Sequence, residues 1–81
     1  MLRIKDKPDA ISVAAMRGLF EGAINNTPLL AKITPLGVMD INGEFSHYMN
    51  ADTDTMWIGF ALGMRCYERL AKKQGKLHDN Q

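Results

Sequence analysis

Eighty-one residues with ten lysines and arginines against nine acidic residues form one small domain without the basic excess typical of nucleic-acid binding. A single cysteine, Cys66, excludes an intrachain disulfide and a four-cysteine zinc cluster, and its reduced thiol suits a cytoplasmic protein. The longest apolar run, 56–64, is far shorter than the roughly 20 residues of a membrane span, and the N-terminus lacks the apolar stretch of a signal peptide. We therefore expect one cytoplasmic domain over 1–81.

The first predicted element is a helix over 8–25. Asp6 and Asp9 suit its start, and Pro8 falls in the first turn, where the missing N–H of proline does no harm. Apolar residues recur with helical spacing along its length. The helix is predicted to end at 25, because a residue that precedes a proline such as Pro28 disfavours helical geometry.

A short helical turn is predicted over 29–33, where prolines bound a small apolar segment. The stretch 36–49 that follows contains Asn42-Gly43, which is the strongest short signal for a β-hairpin. An irregular loop with a tight turn is the alternative to a hairpin here.

The register of this hairpin is open at the level of sequence. A two-residue loop pairs Ile41 with Glu44, but it leaves neither face of the strands cleanly apolar. A longer loop pairs Met39 or Val38 with Phe45 and gives better packing. Either hairpin needs support from the helices, because an isolated pair of strands is unstable.

The last and best-signalled element is a helix over 52–74. Polar residues at 50–54 can accept hydrogen bonds from the free N–H groups of its first turn. Lys72 and Lys73 suit the last turn, and Gly75 is a typical stop signal. The remaining residues, 76–81, are expected to form a frayed tail.

Each long helix carries two glycines four residues apart, Gly18/Gly22 and Gly59/Gly63. This spacing puts both glycines of a pair on one helix face, and each glycine costs about 0.5–1 kcal/mol relative to alanine. We therefore expect a close contact between helices, within one subunit or between two, so that leucine at Gly59 or Gly63 would overpack it. The predicted fold is mainly α (α+β): two principal helices packed through glycine-bearing faces, with a helical turn and a hairpin between them.

Both long helices carry more apolar surface than two helices and a hairpin can cover. This excess predicts a homo-oligomer, with a two-fold dimer as the simplest form. The alternative is a compact monomer in which the middle segment wraps around the helices. The residues expected to anchor a partner interface are Met56, Trp57, Phe60 and Tyr67.

No constellation of catalytic or metal-binding residues is recognisable. The two histidines, His47 and His78, have no cysteine or acidic pair at ligand spacing, and Cys66 is expected to be structural. We therefore expect a protein that is not an enzyme and needs no metal or cofactor. The enzymatic alternative is a site around His47 and Glu44 assembled between subunits.

Basic residues follow one edge of the last helix, which gives a second functional hypothesis. A small nucleic-acid-binding regulator would use Arg65, Arg69, Lys72, Lys73 and Lys76. If the two ends of the chain meet, the basic residues of the N-terminus would add to this edge. The near-neutral total charge argues against this hypothesis.

One stretch, Gly43 to Gly63, resembles a pattern in small accessory proteins of tailed phages and prophages. Its elements are Gly43-Glu44-Phe45, then Tyr48-Met49-Asn50, then a helix that opens at Asp52 and continues into Trp57-Ile58-Gly59-Phe60. The resemblance implies a setting in which small proteins bind and redirect host proteins, including defence factors. It implies no set of functional residues.

Overall fold

The computed structural model describes residues 3–78, and it describes the side chains of the last helix through Gln74. Three helices and one hairpin follow in the order α1 (Val13–Asn25), α2 (Pro28–Ile33), β1 (Val38–Ile41), β2 (Glu44–Tyr48) and α3 (Ala51–His78). The predicted mainly α fold with a small hairpin between the helices is confirmed. Among the described residues, no helix has the length and apolar character needed to cross a membrane.

Helix α1 begins at Val13, five residues after the predicted start at Pro8. Asp9 adopts a φ of 59°, a left-handed conformation that interrupts a right-handed helix. Ser12 is the N-cap instead, and its side chain accepts a 3.1 Å hydrogen bond from the N–H of Ala15. Asp6 still contributes to the helix start, because its Oδ1 accepts from the N–H of Val13 at 2.7 Å.

The hairpin uses the two-residue loop, which is one of the two registers that the sequence leaves open. Ile41 pairs with Glu44, and Asn42 and Gly43 both have the positive φ values, 54° and 80°, that a type I′ turn requires. With strict alternation this register would leave neither face of the strands cleanly apolar, and a β-bulge corrects this. The register shifts between Met39 and Asp40, which pair with His47 and Phe45 and leave Ser46 as the extra residue.

The bulge decides which side chains of β2 reach the core. Strict alternation would send Phe45 and Tyr48 to opposite faces, because they are three residues apart. With one extra residue between them, their rings meet at a centroid distance of 5.3 Å. Both rings also lie near the indole of Trp57, at 5.7 and 6.0 Å. The bulge thus places two aromatic side chains of β2 against α3.

Helix α3 begins where the sequence predicts, but it is longer. The Oδ1 of Asn50 accepts hydrogen bonds from the N–H and the hydroxyl of Thr53 at 3.0 and 3.2 Å. Asp54 is buried and links the elements, because its Oδ1 accepts from the N–H of Tyr48 at 2.9 Å. The helix continues through Gly75 to His78, so Gly75 does not end it. Of the predicted tail, 79–81 lie outside the described residues.

The core is an aromatic cluster between α1, β2 and α3. The ring of Phe20 on α1 lies 5.5 Å from Tyr48 and 5.7 Å from Trp57, measured between centroids. Trp57 is only 1% exposed. Aromatic pairs at such distances contribute beyond their buried area. The fully formed core consists of Val13, Met16, Phe20, Ile24, Tyr48, Trp57 and Ala61.

The glycine pairs do not pack the helices of one chain together, which corrects the prediction. A Cβ atom built at Gly18, Gly22, Gly59 or Gly63 would meet no atom of another segment within 4 Å. The physical reason is their position on the helices. In α1 the core residues Met16 and Phe20 define the inward face, and the glycines lie on the opposite side. The helices instead meet through large side chains.

Candidate protein interface

The most prominent surface feature is an apolar stripe along the outer face of α3. Its large side chains are well exposed, with Tyr67 at 64% and Leu70 at 52%. Helical geometry places the stripe opposite Trp57 and Ala61, which face the core. We call it the α3 stripe, and it comprises Met56, Gly59, Leu62, Gly63, Cys66, Tyr67 and Leu70.

Of the four predicted interface anchors, the structure leaves two fully on the surface. Met56 and Tyr67 are exposed members of the α3 stripe. Phe60 is half-buried and packs against the core, with its ring 5.6 Å from that of Phe20. Trp57 is completely enclosed and is therefore a core residue that no partner can reach.

Sequence reasoning did not select Leu62 and Leu70, although both lie on the α3 stripe and are exposed. A signal was present, because Leu62 and Leu70 fall eight residues apart on one helix face. The apolar residues surround α3 almost completely near its start. Without knowing that Trp57 faces the core, the sequence does not identify the outward side.

A second group of exposed apolar side chains lies on α2 and the hairpin. Leu29 is 70% exposed, although α2 is only six residues long. α2 packs against α1, and β1 packs against β2, with no packing of α2 against α3 in the part of the chain that the structure describes. The side chains of α2 therefore lie apart from the α3 stripe, whereas the hairpin packs against α3 through β2. We call the exposed apolar side chains of α2 and of the hairpin region the α2–hairpin residues: Leu29, Ile33, Met39, Ile41 and Met49.

The two ends of the described chain do meet, through Arg65 and Glu68 of α3. Arg65 donates to the carbonyl oxygens of Ile11 at 2.8 Å and Lys5 at 3.0 Å. Glu68 Oε2 accepts from the N–H of Ile11 at 2.8 Å, and Glu68 Oε1 pairs with Arg65 at 2.8 Å. These bonds hold the segment before α1 against α3. The N–H of Ile11, with the nearby Arg65 guanidinium, lowers the pKa of the Glu68 carboxyl.

The predicted basic edge is only partly available for a partner. Arg65 is committed to the N-terminal segment, and Arg69 donates to Cys66 Sγ at 3.4 Å. Lys7 joins Arg69 and Lys72 around a small cavity of about 180 Å³. Lys73 is exposed, and the side chain of Lys76 lies outside the described residues. The other described residues of the basic edge, Arg69, Lys72 and Lys73, are exposed surface charges.

A larger open cavity of about 590 Å³ lies between the N-terminal segment, α1 and β2. Three of its charged side chains, Arg3, Arg17 and Glu44, are engaged in ion pairs within the chain. Arg3 contacts Glu44 at 3.3 Å, while Arg17 contacts Glu21 at 3.3 Å and stacks over the ring of Phe45. The Nε of Arg17 is buried without a hydrogen-bond partner. The guanidinium of Arg17 is instead stabilised by the face of the Phe45 ring, because a ring face attracts a cation.

Glu21 also joins α1 to β2 through Tyr48. The hydroxyl of Tyr48 donates to Glu21 Oε2 at 2.7 Å, inside the aromatic core. Burial, together with this hydrogen bond, raises the pKa of the Tyr48 phenol. Tyr48 therefore stays neutral and keeps its proton on the bond to Glu21. The arrangement is a structural link between elements.

Within one chain, His47 and Glu44 of the enzymatic alternative are not brought together. Glu44 pairs with Arg3, whereas His47 Nδ1 lies 2.8 Å from the hydroxyl of Ser46. The bulge explains this contact between adjacent residues, because it turns both side chains to one side of the strand. Within the described residues, no hydrogen bond joins His47 to an acidic side chain, and no group of three or more His, Cys, Asp or Glu could hold a metal.

Comparison with protein-family models, curated proteins and solved structures gave no match. The site therefore has to be interpreted from its own residues. Its dominant chemistry is exposed apolar surface on the α3 stripe and the α2–hairpin residues. Such surface binds other apolar surfaces, and the α3 stripe also carries the free, exposed thiol of Cys66.

Proposed function

We propose that this chain is a small, non-enzymatic protein-binding module. Its setting would be the bacterial cytoplasm, as an accessory protein of a phage or prophage that binds and modulates a host protein such as a defence factor. One observation carries the proposal. Large apolar side chains are exposed both on the α3 stripe and among the α2–hairpin residues.

The energy available from these side chains is sufficient for specific binding. Full burial of a leucine, isoleucine or methionine contributes about 1.5–3 kcal/mol. The exposed fractions of Leu29, Ile33 and Met49 together equal about two fully exposed side chains, so their burial would contribute about 3–6 kcal/mol before the entropic costs of association are subtracted. Tyr67 adds an aromatic anchor of the type that dominates protein interfaces.

The resemblance to phage accessory proteins supports the setting. The stretch 43–63 forms the hairpin turn, β2 and the first half of α3. It thus supplies the bulged strand and part of the α3 stripe. The resemblance concerns a pattern of residues, and the host protein that it implies is part of the proposal.

The test is affinity capture of the tagged chain from a lysate of bacterial host cells, followed by mass spectrometry. A variant with Leu29→Glu and Ile33→Glu removes the apolar surface of α2, and Lys32→Glu on the same helix is the matched control. We expect one host protein to be retained by the wild type and the control and to be lost by the double variant. Equal recovery with all three proteins, or no specific recovery, would contradict the proposal.

A second candidate function is nucleic-acid binding, which one observation favours. The fold brings Lys7 of the N-terminal segment beside Arg69 and Lys72 of α3. The hypothesis requires affinity for DNA or RNA at low salt that falls steeply as salt is added, because binding releases counterions. Replacing Lys7 and Lys72 by glutamine should reduce the salt slope by about 2. Absence of binding at low salt would eliminate this candidate.

A further inference from the structure

The chain exposes more surface than its size requires. Its Cα radius of gyration is 14.7 Å, whereas a compact chain of this length has about 12 Å. Its accessible surface is 5908 Å², and a folded monomer of its mass exposes about 4,900 Å². The principal extents are 45 × 33 × 17 Å, so the molecule is a thin slab. The excess of about 1,000 Å² is close to the roughly 800 Å² that each partner buries in a standard interface.

The α3 stripe is a long run of exposed apolar side chains on this surface. From Met56 to Leu70 it runs for about 21 Å along the helix, at a rise of about 1.5 Å per residue. Met56 lies at one end of the stripe and Tyr67 and Leu70 lie at the other, while Leu62 lies near the middle. Gly63 lies midway between Met56 and Leu70 and has open space in front of it. A partner helix can therefore approach most closely at the centre of the stripe.

From these features we infer that the α3 stripe binds the α3 stripe of a second copy, with the two helices antiparallel about a two-fold axis near Gly63. This pairing rests on the proposed role as a protein-binding module, and it names the occupant of the α3 stripe. It leaves the α2–hairpin residues for the host protein. Met56 of one copy then lies beside Leu70 of the other, and the glycines of both copies meet at the crossing.

The charges of α3 select the antiparallel orientation. Asp52 is exposed in its first turn, and Lys73 is exposed near the other end. Antiparallel pairing centred near Gly63 brings Asp52 of one copy beside Lys73 of the other. Parallel pairing would place aspartate against aspartate and lysine against lysine, which is repulsive. The helix dipoles also oppose each other favourably in the antiparallel arrangement.

This pairing gives a reason for Gly59 and Gly63. Both weaken α3 as a helix, and a Cβ at either position would meet nothing within its own chain. Against a second helix, the missing side chains allow the two backbones to approach closely. The stripe does not consist of small residues alone, because Met56, Leu62, Tyr67 and Leu70 supply most of its apolar area.

The first test measures mass by sedimentation equilibrium at about 50 μM. The wild type should have twice its monomer mass of 9.1 kDa. Tyr67→Glu on the α3 stripe should weaken dimerisation at least 30-fold, as expected for a lost aromatic anchor, and Leu29→Glu on α2 is the matched control that should stay dimeric. Both side chains are exposed, so circular dichroism should show folded proteins. A monomeric wild type, or a Tyr67→Glu protein whose dimer dissociation constant equals that of the wild type, would overturn the inference.

The second test determines orientation by disulfide cross-linking in a Cys66→Ser background. Asp52→Cys and Lys73→Cys proteins are prepared separately, mixed and oxidised. Antiparallel pairing predicts that the mixed cross-link dominates, whereas predominant pairing of each variant with itself would overturn the orientation. Capture of host protein is scored separately with the α2 variants. A dimer that captures nothing refutes the proposed function alone, and a monomer that captures a host protein refutes the pairing alone.

Discussion

Replacement of Gly18 by alanine should stabilise the protein. Gly18 lies in the middle of α1 on its solvent side, and a Cβ there would meet nothing within 4 Å. Alanine therefore gains its helix propensity over glycine, about 0.5–1 kcal/mol, without a steric cost. For a domain of this size, 1 kcal/mol shifts Tm by about 4–8 °C. We therefore expect Tm to rise by about 2–8 °C.

The assay is thermal unfolding followed by circular dichroism at one fixed protein concentration, because association makes Tm depend on concentration. Gly43→Ala is the matched control. Gly43 has a φ of 80° in the hairpin turn, so alanine there is strained and should lower Tm. A lower Tm for Gly18→Ala would refute the reasoning, because it would show that the outer face of α1 is packed against a neighbour.

Three further substitutions probe the core and its polar links. Trp57→Ala should cost about 3–5 kcal/mol, enough to abolish the cooperative thermal transition of so small a domain, and a retained sharp transition would contradict the assignment of Trp57 to the core. Tyr48→Phe should cost about 0.5–1.5 kcal/mol in urea unfolding through loss of the hydrogen bond to Glu21, and an unchanged midpoint would show that this bond contributes nothing. The pKa of Glu68 is lower in the folded protein than in the unfolded chain, where it is about 4.3. The ionised carboxylate therefore stabilises the fold above that unfolded pKa, and this stabilisation is lost as the pH falls through the folded pKa. Glu68→Gln should therefore show a smaller loss of Tm between pH 5 and pH 3, and parallel curves for the two proteins would exclude this linkage.

The sequence predicts the elements well where one local signal dominates. Asn42-Gly43 correctly indicates a hairpin, and Pro28 correctly marks the start of a short helix. The start of α1 was missed because Asp9 and Ser12 are both good caps by residue type. The left-handed φ of Asp9, which the residue type does not reveal, decides between them.

The candidate interface was harder to predict, because apolar residues surround α3 near its start. Trp57 and Tyr67 are both typical interface residues by type. Only the packing of β2 shows that Trp57 faces the core and Tyr67 faces outward, and that packing depends on the bulge at Ser46. The role of the glycine pairs was ambiguous for a similar reason. Their spacing correctly places each pair on one face, but it does not reveal whether that face points toward the other helix or away from it.

The hydrogen bonds of Arg65 and Glu68 to the backbone of Ile11 affect how the protein folds during its synthesis. They join residues that are 54 and 57 positions apart along the chain. A ribosome adds about 5–20 residues per second. Several seconds therefore pass between the synthesis of α1 and the synthesis of the part of α3 that binds the segment before α1. During translation α1 therefore lacks this anchor until Glu68 has been synthesised, and the native topology closes only after that point.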